Sequence, residues 1–185
     1  RQVEGEVVHR DSLGSEQSIR PGQLNLMTAG HGVSHSEEQP TGGGAGPLHG
    51  IQLWVAQPEA TRHGEPAFEH HADLPRVDVG DGEATVLVGM MAGERSPARA
   101  DTSLIGADVD LAAGGSARLP LHPGDEHALV VLAGRITIDG ANVAPGVLAY
   151  LGEGRDEVVV ESDEPARVMV LGGEPFPEPI VMSWN

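Results

Sequence analysis

The chain has 185 residues, 28 acidic and 11 basic, and its formal net charge is -17. Because unspecific nucleic-acid affinity comes from basic side chains that neutralise phosphates, we expect no direct nucleic-acid partner. The absence of cysteine excludes disulfides, thiolate metal ligands and cysteine nucleophiles. No apolar run approaches the roughly 20 residues of a membrane helix and no signal peptide is visible, so we expect a soluble, cytoplasmic protein without a membrane partner.

Short runs rich in Val, Ile and Leu alternate with 26 glycines and 14 prolines along the whole chain. This pattern predicts an all-β fold, and no window has the periodicity and caps of a long helix. A Pro-Gly pair opens a predicted strand at Pro21-Gly22 and again at Pro145-Gly146, which suits a duplicated barrel. In chain order the predicted strands are Val3–Arg10, Gln23–Ala29, Gly32–Glu37, His49–Val55, Ala84–Met91, Thr102–Leu111, Ala117–Leu121, His127–Ala133, Arg135–Ile138, Val147–Leu151, Glu157–Ser162 and Ala166–Gly172.

The stretch Gln57–Gly82 has three prolines and weak periodicity, and we interpret it as a connector. The only helical feature that we expect in it is a short turn near Pro58–His63. His70 and His71 fall inside this stretch, so we expect both to be solvated.

His35 and Glu37 are the first candidates for chemistry. Side-chain direction repeats every second residue on a β-strand, so this spacing sends both side chains to one face. An imidazole nitrogen and a carboxylate oxygen that converge are half of a first-row transition-metal site. The alternative is a solvated His-x-Glu motif beside a loop, because Glu38-Gln39-Pro40 continues as one.

The other histidines favour structural roles. His9 precedes a predicted turn that Asp11 helps to form, and a structural turn is the preferred interpretation there. His49 opens a predicted core strand, where we expect a hydrogen-bonded wall residue. His122 and His127 flank a Pro-Gly-Asp-Glu segment that is typical of an exposed turn, and a metal at that turn is the less favoured alternative.

The glycine-rich and serine-containing segments give no catalytic motif. The run Gly42–Gly46 does not follow a strand and open a helix, so it fails the context of a phosphate-binding loop. A mobile lip over a cavity or a loose surface loop are the two interpretations of this run. Ser34 and Ser36 lack a nucleophile-elbow context, which disfavours serine catalysis.

Five blocks of sequence together resemble the pirin family of metal-binding bicupin proteins. The blocks are His9–Gly14, Met27–Glu37, Leu48–Pro58, Gly93–Pro97 and Leu111–Leu132. The resemblance implies a bicupin with two β-sandwich or barrel (jelly-roll) domains. Residues 1–72 would form an incomplete N-terminal cupin with its connector, and residues 73–185 a metal-free C-terminal cupin.

The resemblance also implies one divalent transition metal, most readily Fe(II), held by three histidines and one glutamate of the first barrel. His35 and Glu37 match the later pair of these ligands. The earlier pair, a His-x-His, would lie upstream of Arg1, so we interpret the chain as an excerpt of a longer one. On its own, this excerpt would bind metal poorly. The sequence departs from the family at Leu26, where a Trp is common, and at His31, where an Arg is common.

The activity implied by the resemblance is that of a quercetin 2,3-dioxygenase. Such an enzyme cleaves the heterocyclic ring of a flavonol with O2 and releases CO. Glu37 would be both a ligand and the base that takes the flavonol proton. The alternative is a metal- or redox-sensing regulatory protein that binds a protein partner without turnover, and the acidic charge suits a protein partner better than DNA.

Overall fold

The computed structural model describes residues 2–40 and 46–180, and over these residues the chain forms strands, turns and bends without a helix. The all-β prediction is confirmed. No segment in the described part of the chain is a helix of the length and apolarity that a membrane crossing requires. The chain divides into two compact units, the first extending to Leu74 and the second starting at Pro75.

Three small antiparallel sheets build the first unit. Their orders are β3-β2-β5, β4-β7 and β1-β6. The strands are β1 (Gln2–Glu4), β2 (Val7–Asp11), β3 (Glu16–Ile19), β4 (Leu24–Thr28), β5 (His35–Glu38), β6 (His49–Gly50) and β7 (Ala67–His71).

The predicted strand Val3–Arg10 is two strands in the structure. Gly5 separates β1 from β2 and has a φ of 81°, in the left-handed region that favours glycine. A Cβ at this position would lie 2.8 Å from the backbone oxygen of Pro47. The chain therefore turns at Gly5, and β2 pairs with different neighbours from those of β1.

Two strand registers decide which side chains share a face in the first unit. In the β2–β5 pair, His9 lies opposite Glu37 and Asp11 lies opposite His35. In the β4–β7 pair, Met27 lies opposite Phe68. The rings of His9 and Phe68 stack, so these two sheets meet face to face at this point.

The second unit contains a six-stranded sheet, β17-β14-β19-β12-β9-β8, a four-stranded sheet, β13-β18-β15-β16, and the short pair β10-β11. The strands are β8 (Arg76–Asp78), β9 (Gly82–Val88), β10 (Met90–Met91), β11 (Glu94–Arg95), β12 (Leu104–Leu111), β13 (Gly115–Pro120), β14 (Glu126–Ala133), β15 (Ile136–Ile138), β16 (Ala141–Val143), β17 (Leu148–Gly152), β18 (Glu157–Ser162) and β19 (Ala166–Gly173).

The hydrophobic core of the second unit comes from both larger sheets. Val109, Leu129 and Val168 contribute to it from the six-stranded sheet, and Leu119 and Val160 from the four-stranded sheet. Alternating burial along β14 and β18 shows that one face of each strand points into this core.

The connector prediction over Gln57–Gly82 is wrong in part, because this stretch contains β7 and β8. The turn after Pro58 is confirmed by hydrogen bonds from the Thr61 and Arg62 N–H groups to the Pro58 carbonyl. The prediction of solvated His70 and His71 is also wrong. Both are half-buried, since β7 pairs with β4 along its whole length.

The predicted core strand His49–Val55 is shorter and more exposed than expected. Only His49–Gly50 forms a strand, and it pairs with β1. Residues 52–55 are exposed, and in the described part of the chain no strand pairs with them. A strand needs a hydrogen-bonded neighbour, which explains why an apolar run alone misleads here.

Candidate metal centre

Strand β5 presents the two predicted ligands side by side in space. His35 and Glu37 are separated by one residue in a regular strand, so both side chains project from the same face of the β3-β2-β5 sheet. Both residues are exposed. The structure therefore places both candidate donors on one face of a strand, and their role as metal ligands stays a prediction.

The neighbouring strand adds a second polar pair to this face. His9 is 2% exposed, and its Nε2 lies 3.0 Å from Oδ2 of Asp11. The other carboxylate oxygen, Oδ1, accepts hydrogen bonds from the backbone N–H groups of Leu13 at 2.9 Å and Ser15 at 3.0 Å. Asp11 thus closes the turn between β2 and β3, as predicted, and also holds His9.

The Asp11 carboxyl group is strongly acidic in this setting. Burial alone would raise its pKa, but the hydrogen bonds from His9, Ser15 and Leu13 outweigh burial and lower the pKa to about 2. Asp11 is therefore a carboxylate at neutral pH, and a carboxylate can only accept hydrogen bonds.

The His9 ring stacks with two other rings of the first unit. The centroids of the His9 and Phe68 rings are 4.3 Å apart with an interplanar angle of 11°. The centroids of the His9 and His35 rings are 5.6 Å apart with an angle of 23°. Phe68 thus supports His9, and His9 in turn supports the exposed ligand candidate His35.

The opposing β4–β7 sheet carries further polar groups. Nδ1 of His70 lies 2.7 Å from Oδ1 of Asn25 on the paired strand. Burial, with a smaller contribution from His71, lowers the pKa of His70. His71 is already engaged with Glu69, since its Nε2 lies 3.0 Å from the Glu69 carboxylate.

The residues present fit a transition metal as a partial set of donors. His35 and Glu37 provide one nitrogen and one oxygen, both exposed on one face, which is the donor chemistry that iron, manganese, nickel and copper accept. His9 and Asp11 hold each other instead. In residues 2–40 and 46–180 no group of three or more His, Cys, Asp or Glu side chains is arranged to hold a metal ion.

Sequence reasoning assigned His9 and Asp11 to a turn and did not place them beside the candidate ligands. A usable signal was nevertheless present. His9 and Asp11 have the same alternating spacing as His35 and Glu37, so each pair occupies one face of its strand. Only the cross-strand register, however, brings the two pairs together.

The other candidates near the first unit lie on its surface. The Nε2 atom of His31 is 3.2 Å from the Glu65 carboxylate, and both side chains are exposed. His49 is exposed and not a wall residue, because β6 is a two-residue strand with little to cover it. The predicted lip Gly42–Gly46 lies almost entirely outside the described residues.

His127 of the second unit is buried, contrary to the exposed setting predicted for its neighbourhood. It occupies the same inward face of β14 as Leu129 and is 2% exposed. Its ring lies over Gly172, where a Cβ would be 2.4 Å from the His127 Cδ2 atom. Neither ring nitrogen has a hydrogen-bond partner of normal geometry. Burial lowers the pKa of His127, although the charge and the backbone of the nearby Asp125 act in the opposite direction.

Comparison with known proteins identifies the family of this chain. The family model described as Pirin matches residues 2–55, and that of the Pirin C-terminal cupin domain matches residues 106–185. The chain belongs to the pirin family. It is 46% identical over 184 residues to a Pseudomonas aeruginosa protein provisionally named a quercetin 2,3-dioxygenase, covering 99% of this chain and 58% of that relative. The resemblance to the pirin family that the sequence motifs indicated is thereby confirmed.

Solved structures agree with this assignment and confirm the bicupin fold class. A crystal structure of quercetin 2,3-dioxygenase from Acinetobacter baumannii has a TM-score of 0.91 and 40% identity, over 100% of this chain and 61% of that one. A bacterial pirin from Escherichia coli, solved in complex with nickel(II), has a TM-score of 0.73 and 18% identity over 95% of this chain and 71% of that one. The second likeness concerns the fold alone.

The pirin chain described here is shorter than these relatives. It spans about three fifths of the length of the Pseudomonas aeruginosa protein and of the Acinetobacter baumannii dioxygenase.

Proposed function

We propose that this chain is part of a metal-dependent dioxygenase of the pirin family that cleaves the ring of a flavonol such as quercetin with O2. One observation carries the proposal. His35 and Glu37 project together from one face of β5, exposed to an incoming metal and substrate, above a buried and hydrogen-bonded His9. The names of the Pseudomonas aeruginosa and Acinetobacter baumannii relatives support the substrate class.

His35 and Glu37 would hold one divalent metal, Fe(II) in our proposal. Two further histidines, which the family resemblance implies upstream of Arg1, would complete the set of ligands. When bound, such a metal supplies Lewis-acid and redox chemistry toward a flavonol and O2. The nickel(II) complex of the Escherichia coli pirin shows that one protein of this fold binds a transition metal.

Glu37 has a second role in this proposal. A carboxylate can accept a proton from a substrate hydroxyl placed within hydrogen-bond reach, which converts the flavonol into its more electron-rich anion. Glu37 is exposed on the site face, so it is accessible to a substrate. The neighbouring Asp11 is unsuited to this task, because its low pKa makes it a weak base and its oxygens are already engaged.

The test is turnover of quercetin by the full-length natural protein loaded with Fe(II), followed as O2 consumption and CO release. We expect turnover in the wild type and its loss in His35→Ala. His49→Ala is the matched control, since His49 is an exposed histidine outside the β2–β5 face, and it should keep wild-type turnover. Glu37→Gln should retain some metal but lose most of the rate.

The metal content of each variant separates the possible outcomes. Stoichiometric metal in the wild type without CO release would contradict the dioxygenase and favour the alternative, a metal-sensing regulatory protein with a protein partner. Equal metal binding by the wild type and His35→Ala would contradict the assignment of His35 as a ligand.

A further inference from the structure

We infer that His9 is a positioning residue of the metal centre, which fixes the orientation of the His35 imidazole by stacking on it. This inference rests on the proposed function, because it assigns His35 as a ligand. His9 itself has no place among the proposed ligands, since its Nε2 is directed at Asp11.

The first step of the argument concerns the edge of the His9 ring. Oδ1 of Asp11 accepts hydrogen bonds from two backbone N–H groups, an arrangement that suits an ionised carboxylate, and an ionised carboxylate can only accept. The proton of the 3.0 Å hydrogen bond is therefore assigned to Nε2 of His9. This hydrogen bond lies at the ring edge and leaves both ring faces available. Asp11 is itself held by the backbone N–H groups of Leu13 and Ser15.

The second step concerns the rings that stack with His9. Phe68 stacks with it at a centroid distance of 4.3 Å and an interplanar angle of 11°. His35 stacks with the same ring at a centroid distance of 5.6 Å and an angle of 23°. His9 is thus fixed at its edge by Asp11 and by its close stacking with Phe68, and His35 stacks with this fixed ring.

The third step concerns the orientation of the exposed His35 ring. The χ2 torsion of a histidine is broad, and His35 is exposed, so burial alone does not select one ring orientation. A flat, immobile ring beneath His35 removes this freedom before the metal arrives. Outer groups that orient a metal-binding histidine typically change metal affinity by about 10- to 100-fold, and we place His9 in this class.

The experiment compares His9→Phe with His9→Leu in the full-length natural protein. Both variants lose the hydrogen bond to Asp11, but only phenylalanine keeps a flat ring that can stack with Phe68 and His35. Nickel(II) affinity measured by calorimetry should fall about 10-fold or more in His9→Leu and by much less in His9→Phe. The visible spectrum of the cobalt(II)-loaded protein should change in His9→Leu and stay close to the wild type in His9→Phe.

Two results would overturn the inference. Equal nickel(II) affinity in the wild type and His9→Leu would show that His35 needs no support. Equal losses in both variants would show that the hydrogen bond, and not the ring, is what matters. If His9→Leu does not fold, nuclear Overhauser contacts between the His9 and His35 ring protons in the metal-free wild type decide the question, and their absence overturns it.

His35→Ala distinguishes this inference from the proposed function. If His35→Ala binds nickel(II) as tightly as the wild type, the proposed metal centre is wrong. If His35→Ala loses nickel(II) while His9→Leu does not, the metal centre stands and the positioning role of His9 fails.

Discussion

The two units of the chain use one face of similar antiparallel strands in opposite ways. In the first unit the paired strands β2 and β5 carry polar side chains on one face, namely His9, Asp11, His35 and Glu37. In the second unit the paired strands β14 and β19 carry apolar side chains on the core face, namely Leu129, Val131, Val168 and Val170. The same strand pattern therefore groups polar side chains in one unit and builds an apolar core in the other.

The distribution of burial makes the same distinction. Among the described residues, Ile19 is the one buried hydrophobic residue before Pro75, whereas the second unit has a continuous core. Apolar burial is the main source of folding free energy. The second unit should therefore account for most of the measured stability, and the first should tolerate apolar truncation better.

The largest difference that we expect between the units is between two arginines that each contact two carboxylates, and the large effect belongs to Arg167 of the second unit. Arg167 forms two hydrogen bonds, of 2.8 and 2.6 Å, with the fully buried Asp108 carboxylate and also lies near Asp110. Arg167→Leu should lower the free energy of unfolding by about 3 kcal/mol, since a buried charge loses its partner. Urea denaturation followed by circular dichroism measures this change.

Arg10 is the counterpart in the first unit and serves as the control. It contacts Glu16 and Glu38, and all three side chains are exposed. Arg10→Leu should leave the urea midpoint unchanged, because exposed ion pairs contribute little. Equal losses of unfolding free energy in Arg10→Leu and Arg167→Leu would contradict the expected difference between the two units.

The second effect is the cost of truncating a leucine in each unit. Leu129 is 0% exposed in the core of the second unit, and Leu129→Ala should lower the free energy of unfolding by about 3 kcal/mol. Leu24→Ala, at a half-buried position of β4, should lower the free energy of unfolding by about 1 kcal/mol. Leu148, which is 55% exposed on β17, is the control and should change stability by less than about 0.5 kcal/mol.

A third prediction concerns the polar residue on the apolar face of β14. Both ring nitrogens of His127 are buried without a hydrogen-bond partner, so His127→Phe should raise the free energy of unfolding by about 1 kcal/mol. Burial lowers the pKa of His127 in the folded state, so the unfolded chain takes up the proton first as the pH falls. The difference in unfolding free energy between His127→Phe and the wild type should therefore grow below about pH 6.5. Unfolding curves at about pH 8 and about pH 5 test this.

The last prediction concerns the acid side of the stability curve and the carboxyl group of Asp11. Its pKa of about 2 in the folded state lies below the ordinary value, so its contribution to stability is complete above about pH 4 and is lost as the pH falls toward 2. Asp11→Asn should flatten this acid limb of the stability curve. Carboxyl chemical shifts recorded from pH 5 to 1.5 give the pKa directly, and a titration near the ordinary value would contradict the hydrogen-bonding scheme.

Local pattern was enough to predict much of the fold and the two ligand candidates. Alternation and turn residues place β4 and β14 within a few residues of their actual bounds. The Pro-Gly pairs also behave as expected, because Gly22 and Gly146 have φ values of 91° and 79° and each precedes a strand by two residues. These features depend on neighbouring residues only.

Features that depend on distant residues were missed. Strand β7 escaped prediction because Pro66 and a histidine doublet conceal it, and its pairing with β4 is what makes it a strand. Burial of His127 follows from its place opposite Gly172, 45 positions along the chain, and not from the turn beside it. Likewise, the proximity of His9 to His35 is fixed by the β2–β5 register, which no local pattern encodes.

Asp11 connects the turn between β2 and β3 with the ring of His9. One of its oxygens accepts hydrogen bonds from the Leu13 and Ser15 backbone N–H groups of a surface turn, and the other is hydrogen-bonded to Nε2 of His9. Any disturbance of that ring is thus transmitted to two backbone amides. Their hydrogen-exchange rates should therefore report how well ordered the His9 ring is, and they can be measured in the metal-free protein.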